Sequence, residues 1–397
     1  MITSLAPLWR DPALRLVVLI LILTGAQISS MAPYLSVIAI TNLGFSNQTY
    51  AVILIAASLI GLASAVGIGI ITDQRPMRRQ MALLSALLVT LGSGLVWVMP
   101  SKTSFAFSHA VLLPAGFTLF VLVLALSHIA TASYPATRGA LLSAVRASFA
   151  LPFVVVLPIW AFALKRGLDV MAIYPFSTLI GGLTTLLIWR AWPNDENLSA
   201  GATPSGLSFF QSLREIAERP VLLRVVMLGA VGSAASLYIV LVGLVFTQTV
   251  GRSASDAALF VGLVAGAEVP FMLLVPQIWG HLPKAALIAG GTALYCVHLL
   301  LLPWVAASPA VWLLILPASL GGAIILTLPI AYLQDLLAAR PGAGSSLISL
   351  QRVFGDILCA AAFAFGTYVA GYGFAAIIGA IMALGGAVWL VLTDRRP

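Results

Sequence analysis

Long apolar runs, each closed by polar or turn residues, recur along the whole chain. A helical crossing of a bilayer takes about 20 residues. On that measure the runs predict twelve spans, at about residues 16–40, 48–72, 79–99, 105–132, 139–164 and 168–189, then about 221–249, 254–279, 285–306, 310–337, 343–369 and 373–393. At membrane depth the backbone must satisfy itself, so only helices and closed barrels cross. A barrel shows short alternating segments instead, so this pattern predicts an all-α membrane protein. The run from Leu16 is too long for a signal-peptide core and has no small-residue cleavage site, so it is expected to remain as the first span.

The longest polar interval, Trp192 to Arg219, separates two sets of six spans. It divides the chain into 1–190, a six-helix bundle, 191–220, a linker, and 221–397, a second six-helix bundle. Asn194–Asn197 and Gly201–Gly206 read as loop. Ser208 and Gln211 have capping-box spacing, and Phe209, Leu213 and Ile216 share a face, which predicts a short interfacial helix in the linker. The halves also repeat weakly. Gly44-Phe-Ser46 before span two matches Gly251-Arg-Ser253 before span eight, an offset of 207. Arg146-Ala-Ser-Phe149 in span five matches Arg352-Val-Phe354 in span eleven at nearly the same offset. Parallel repeats of this kind place a substrate site near the bilayer midplane, between the halves.

Composition sharpens the class. Of 397 residues, 61% are hydrophobic and only 8% charged, against about a quarter in soluble domains. Mean hydropathy is +1.09. Soluble, disordered and nucleic-acid-binding readings are excluded. The net charge of +8 comes from 20 basic and 12 acidic residues, and the basic ones segregate. With the N-terminus inside, fourteen Lys and Arg fall in inner loops and tails and four in outer loops, which predicts cytoplasmic termini. Arg146 and Arg352 remain inside spans. Cys296 and Cys359 lie in apolar runs with no metal or redox spacing. No nucleophile–base spacing, phosphate loop or metal motif is present, so neither an enzyme nor a cofactor or metal is expected.

Charges among apolar residues carry the chemistry, because each costs at least about 2.5–3.5 kcal/mol at a helix centre. Glu268 lies about 12 residues from the inner end of span eight, roughly 18 Å along a helix. Burial penalises the charged form of a carboxyl, so such an acid can take up and release a proton. The readings are a proton carrier or substrate partner, or a structural ion pair. Arg146, roughly 10 Å into span five, is a partner for Glu268, a donor to substrate hydroxyls, or a residue snorkelling to the inner interface. Arg352 and Asp356 have i, i+4 spacing in span eleven and can pair on one face.

The loop Gly69-Ile-Ile-Thr-Asp73-Gln-Arg75-Pro-Met-Arg78-Arg79 resembles the signature of the major facilitator superfamily: Gly, Asp four residues on, then a basic cluster. Pro76 stands where that family usually has Gly. The resemblance implies twelve helices in two six-helix bundles related by pseudo-two-fold symmetry. It also implies an inner gate at Asp73 with Arg75, Arg78 and Arg79, to which Asp335 and Arg352 are added. More narrowly, the chain resembles the bacterial sugar efflux transporters. The matching pieces are Leu23-Thr-Gly25 with Pro33-Tyr-Leu-Ser36, Ser143-Ala-Val-Arg146-Ala147, Gly266-Ala-Glu268-Val-Pro270-Phe-Met272, and Tyr332-Leu-Gln334-Asp335-Leu336 with Arg340-Pro-Gly-Ala-Gly-Ser-Ser346.

That resemblance implies a monomeric, proton-linked exporter of sugars or glycosides in the bacterial inner (plasma) membrane, working by alternating access. A multidrug or other small-metabolite exporter, or a proton-independent facilitator, is the alternative on the same scaffold. Its partners are a sugar-like or amphiphilic solute, protons and the lipid bilayer, with no nucleic acid. Helices that line the cavity in this fold supply Gln27, Tyr34, Tyr238 and Thr327, whose donors, acceptors and aromatic faces suit hydroxyl-rich ligands. With Arg146 and Glu268 they form the expected substrate set. Each has interhelical hydrogen bonding as its plain alternative. Glu268 and Asp356 are the expected proton-coupling pair.

Overall fold

The computed structural model describes residues 6–193, 218–336 and 341–394. Among them, twelve helical spans are long and apolar enough to cross a membrane. They are α1 Pro12–Met31, α2 Asn47–Gly69, α3 Arg78–Val98, α4 Lys102–Ser133, α5 Arg138–Lys165 and α6 Val170–Ala191. Then come α7 Arg219–Thr249, α8 Ala254–Trp279, α9 Lys284–Val305, α10 Pro309–Leu336, α11 Leu347–Val369 and α12 Tyr372–Asp394. The expected linker helix lies outside the described residues, as do Arg214, Arg340, Arg395 and Arg396.

Local chemistry sets the ends. Asp11 caps α1, its Oδ1 accepting from the amides of Ala13 and Leu14 at 2.8 and 3.2 Å, with Pro12 at the first helical position where its missing N–H costs nothing. Its second oxygen accepts from the Tyr134 hydroxyl at 3.1 Å, which fastens the end of α4 to the start of α1. Span one, expected to run to residue 40, stops at Met31. Pro33 brings no N–H to the helical ladder, and the chain resumes as a short helix, Leu35–Val37, that widens into a π-turn at Ile38–Asn42. α7 ends on a matching π-turn, Val245–Thr249.

The repeated Gly-x-Ser motif has a structural meaning in both places. Gly44 and Gly251 adopt φ of 69° and 65°, which costs a glycine little and other residues more. Ser46 and Ser253 then accept from the amides of Thr49 and Asp256, at 3.1 and 3.2 Å, and start α2 and α8. The span-five and span-eleven match recurs too. A Cβ on Gly25 would meet the Phe149 carbonyl, and one on Gly229 would meet the Phe354 side chain. Small residues at these points let helices approach without hydrophobic help from lipid.

Packing divides the chain into two compact units. The first holds Met1–Ala32, Leu59–Trp160 and Gly167–Gly206. In it α1 packs on α4 and α6, and α3 on α4 and α6, around Leu14, Ile20, Leu21, Val123, Leu126 and Ile188. The second holds Pro33–Ser58, Ala161–Arg166 and Leu207–Pro397. In it α7 packs on α11 and α12, α9 on α10 and α12, and α8 on α10. The pairs α1–α6, α3–α6 and α3–α4 of the first unit thus recur as α7–α12, α9–α12 and α9–α10 in the second.

Candidate functional site

In the second unit four helices converge on Glu268. α8 carries the acid, and its partly buried carboxyl lies against the backbone of α10 at Gly322, where a Cβ would collide with Oε1. The ring of Tyr295, from α9, borders the same spot at 3.4 Å from that Cβ position. Tyr238 of α7 and Tyr295 are both electrostatic neighbours of the carboxyl. Among the described residues no ion pair involves Glu268, so the structural-pair reading finds no support. A lone acid at this depth is instead surrounded by phenols and a glycine step.

Behind Glu268 the rings interlock. Tyr238 meets His298 edge-on, centroids 4.8 Å apart, and Tyr295 and Phe260 at 6.2 and 6.4 Å. All four residues are at most 3% exposed. His298 of α9 belongs to this cluster. Tyr295 and His298 are the participants that sequence reasoning passed over. Their spacing of three places them on one face of α9, but nothing in the sequence pointed that face at α7 and α8.

Asp356 of α11 accepts two hydroxyls instead of pairing with Arg352. Ser58 donates to Oδ2 at 2.9 Å and Ser236 of α7 to Oδ1 at 3.0 Å. No ion pair between Arg352 and Asp356 is present among the described residues, and Arg352 is exposed. The helical i, i+4 spacing allows a pair but does not compel it, and two short serines satisfy the acid without stretching a long side chain. Elsewhere in the same unit, Gln248 donates to the Thr41 hydroxyl at 2.7 Å and accepts from the Tyr372 hydroxyl at 2.7 Å.

The other expected ligands fall elsewhere. Gln27 is 3% exposed and donates to the Ser177 carbonyl at 3.1 Å and the Ser93 hydroxyl at 3.4 Å, joining α1 to α6 and α3. Its amide is used in packing. The Thr327 hydroxyl bonds back to Ala323 of its own helix. Tyr34 is fully buried in the second unit, its hydroxyl without a hydrogen-bond partner among the described residues. Arg146 is exposed on α5 in the first unit and is an electrostatic neighbour of His128.

At the loop after α2, Arg79 donates to the Trp189 carbonyl at 2.6 Å, binding the open C-terminal end of α6. Arg75 and Arg78 flank it, and the side chain of Asp73 lies outside the described residues. Asp335, at the end of α10, pairs with Lys284 at the start of α9. Beside that pair, Arg224 donates to the Tyr332 hydroxyl at 3.0 Å, and Tyr332 donates to Asp394 at 2.5 Å. Together these five groups line a groove.

No family model matches the chain. It is 25% identical over 393 residues to a Deinococcus radiodurans protein named "Putative sugar efflux transporter", covering 96% of this chain and 97% of that one. Its structure resembles that of the nucleoside transporter NupG, with a TM-score of 0.79 at 10% identity over 98% of this chain and 100% of the other. It also resembles a POT family transporter solved with a thioalcohol-conjugated peptide, TM-score 0.77 at 13% identity over 96% of each chain. A D-xylose–proton symporter superposes at 0.70, with 16% identity over 94% of this chain and 95% of that one. The chain therefore shares the fold of these solved transporters, and the proteins it resembles are named as transporters rather than enzymes. The likeness to the Deinococcus protein is one of sequence and runs along nearly the whole of both chains.

Proposed function

We propose that this protein exports sugars or glycosides across the bacterial inner (plasma) membrane in exchange for protons, by alternating access between the halves 1–190 and 221–397. The observation that carries the reading is Glu268: an acid within a span, bordered by Tyr238, Tyr295 and Gly322 and without an ion pair among the described residues. Intramembrane acids mark transport pathways by default. Here Glu268 takes a proton from the outer side and releases it inside, and the release accompanies return of the empty carrier. Arg146 serves as a donor to substrate hydroxyls, and Asp356 is the second titratable group. Asp73, Arg75, Arg78, Arg79, Asp335 and Arg352 serve the inner gate. Both termini are cytoplasmic by charge bias, and the export direction rests on the relative's name.

The surroundings of Glu268 favour one other reading. Tyr238, Phe260 and Tyr295 are buried against one another beside it and offer few polar groups, so a multidrug or other small-metabolite exporter is the second reading. The test is flux of labelled sugars in proteoliposomes with and without an imposed pH gradient, wild type against Glu268→Gln. Sugar flux should follow the gradient and fall at least about tenfold in the variant, a rise of about 1.4 kcal/mol in the barrier. Full gradient-driven flux in Glu268→Gln would remove the proton role. Absence of sugar flux beside flux of a lipophilic cation would favour the second reading.

A further inference from the structure

His298 is fully buried, yet neither ring nitrogen has a hydrogen-bond partner among the described residues. A neutral imidazole carries one donor and one acceptor, and buried polar groups are nearly always satisfied. The hydroxyl of Tyr238, 3% exposed, is likewise without a partner among the described residues. The two rings meet edge-on at a centroid distance of 4.8 Å and 72°. Phe260 stacks on the imidazole at 5.9 Å and 14°, and Tyr295 closes the cluster at 5.6 Å. A site wanting only a flat apolar ring would be filled better by phenylalanine.

The titratable neighbours are few. α7 contributes Tyr238, α8 contributes Glu268, which neighbours Tyr238 and Tyr295, and α9 contributes Tyr295 and Cys296. The Cys296 thiol is turned to the Ala380 carbonyl of α12 at 3.7 Å. Tyr238 therefore stands between one acid and one imidazole.

We propose that His298 is a positioning residue for Glu268, acting through a Tyr238 hydroxyl that the two groups share. An ionised carboxylate is the stronger acceptor, because hydrogen bonds to charged groups are shorter and roughly twice as strong, so the phenol turns to Glu268. Once the carboxyl gains its proton it becomes a donor itself, and the phenol turns to the imidazole nitrogen. No covalent bond changes; one hydroxyl changes acceptor. The inference rests on the reading of Glu268 as proton carrier, and it converts that acid from an isolated charge into half of a two-position switch.

The test compares His298→Phe, which keeps the stack on Phe260, with His298→Gln, which keeps an acceptor. Each is measured for melting temperature, for proton-driven flux against pH, and for the carboxylic C=O infrared band of Glu268, identified by its loss in Glu268→Gln. His298→Phe should fold and melt as wild type does. It should move both the flux profile and the infrared titration by about one pH unit, tenfold in proton affinity, and His298→Gln should restore most of both. Wild-type profiles in His298→Phe would overturn the proposal and leave a packing residue. Should His298→Phe not fold, Tyr238→Phe and the Tyr238→Phe/His298→Gln double variant decide. Tyr238→Phe alone should shift the titration because the carboxylate loses its donor, with no further shift in the double, and additive shifts would overturn the shared hydroxyl. The infrared titration needs no transport, so failure of the export reading and failure of the switch are separately visible.

Discussion

Replacing Gly322 by alanine puts a methyl group where Glu268 lies. The added Cβ would overlap Oε1, stand 3.1 Å from the carboxyl carbon, and touch the Tyr295 ring at 3.4 Å. Overpacking of this kind costs about 1–3 kcal/mol, while alanine within a helix returns about 0.5–1 kcal/mol relative to glycine. The net expectation is a destabilisation of up to about 2.5 kcal/mol, with the acid forced off its place beside the phenols. Flux should fall at least about tenfold. In a Glu268→Ala background the obstacle is gone and only the helix gain remains, so the same substitution should become neutral or stabilising there. Equilibrium unfolding in detergent micelles, run as a double-mutant cycle, should return a coupling of about 1–3 kcal/mol. Gly290→Ala is the control, since nothing lies within 4 Å of its Cβ position. An equal cost of Gly322→Ala in both backgrounds would refute the placement of Glu268 against α10.

Two further outcomes follow from the placements outside the Glu268 cluster. Gln27→Ala should lower stability by about 1–2 kcal/mol, the loss of two interhelical bonds in a membrane, and leave KM for substrate unchanged; a rise in KM at intact stability would return Gln27 to the binding site. Lys284→Ala should stay within about 1 kcal/mol of wild type in the same unfolding assay, because the side chains of Lys284 and Asp335 are 40% and 67% exposed and exposed pairs contribute little.

The spans were legible because the signal is thermodynamic: twenty apolar residues announce themselves whatever they pack against. Their ends were less so, and Pro33 shows why. An apolar run through residue 40 hides a missing N–H, which stops a helix without changing hydropathy. Within the site, Glu268 stood out as a charge where charge is costly. Gln27 was open to misreading, since a polar residue on an inner helix looks alike whether it faces a cavity or the Ser177 carbonyl. Which of the two holds depends on the rotation of α1, fixed by packing on α6 and not by local spacing. His298 was missed because its ring neighbours come from α7 and α8, and Asp356 was given the wrong partner because Ser58 lies 298 residues away in sequence. Long-range pairing leaves no local trace.

The hydrogen bond from Gln248 to Thr41 joins residues 207 apart, the same interval that separates Gly44 from Gly251. Each residue sits in a wide turn, Ile38–Asn42 or Val245–Thr249, so the two are one another's counterparts. Here two counterparts of the repeat touch one another. In a symmetric homodimer such a contact is isologous, the same side chain meeting itself across the axis, and only chemistry that complements itself is allowed there. Joining two such copies in one chain lifts that restriction. Threonine on one side and glutamine on the other, the glutamine held in turn by Tyr372, is a pairing that identical subunits could not have made.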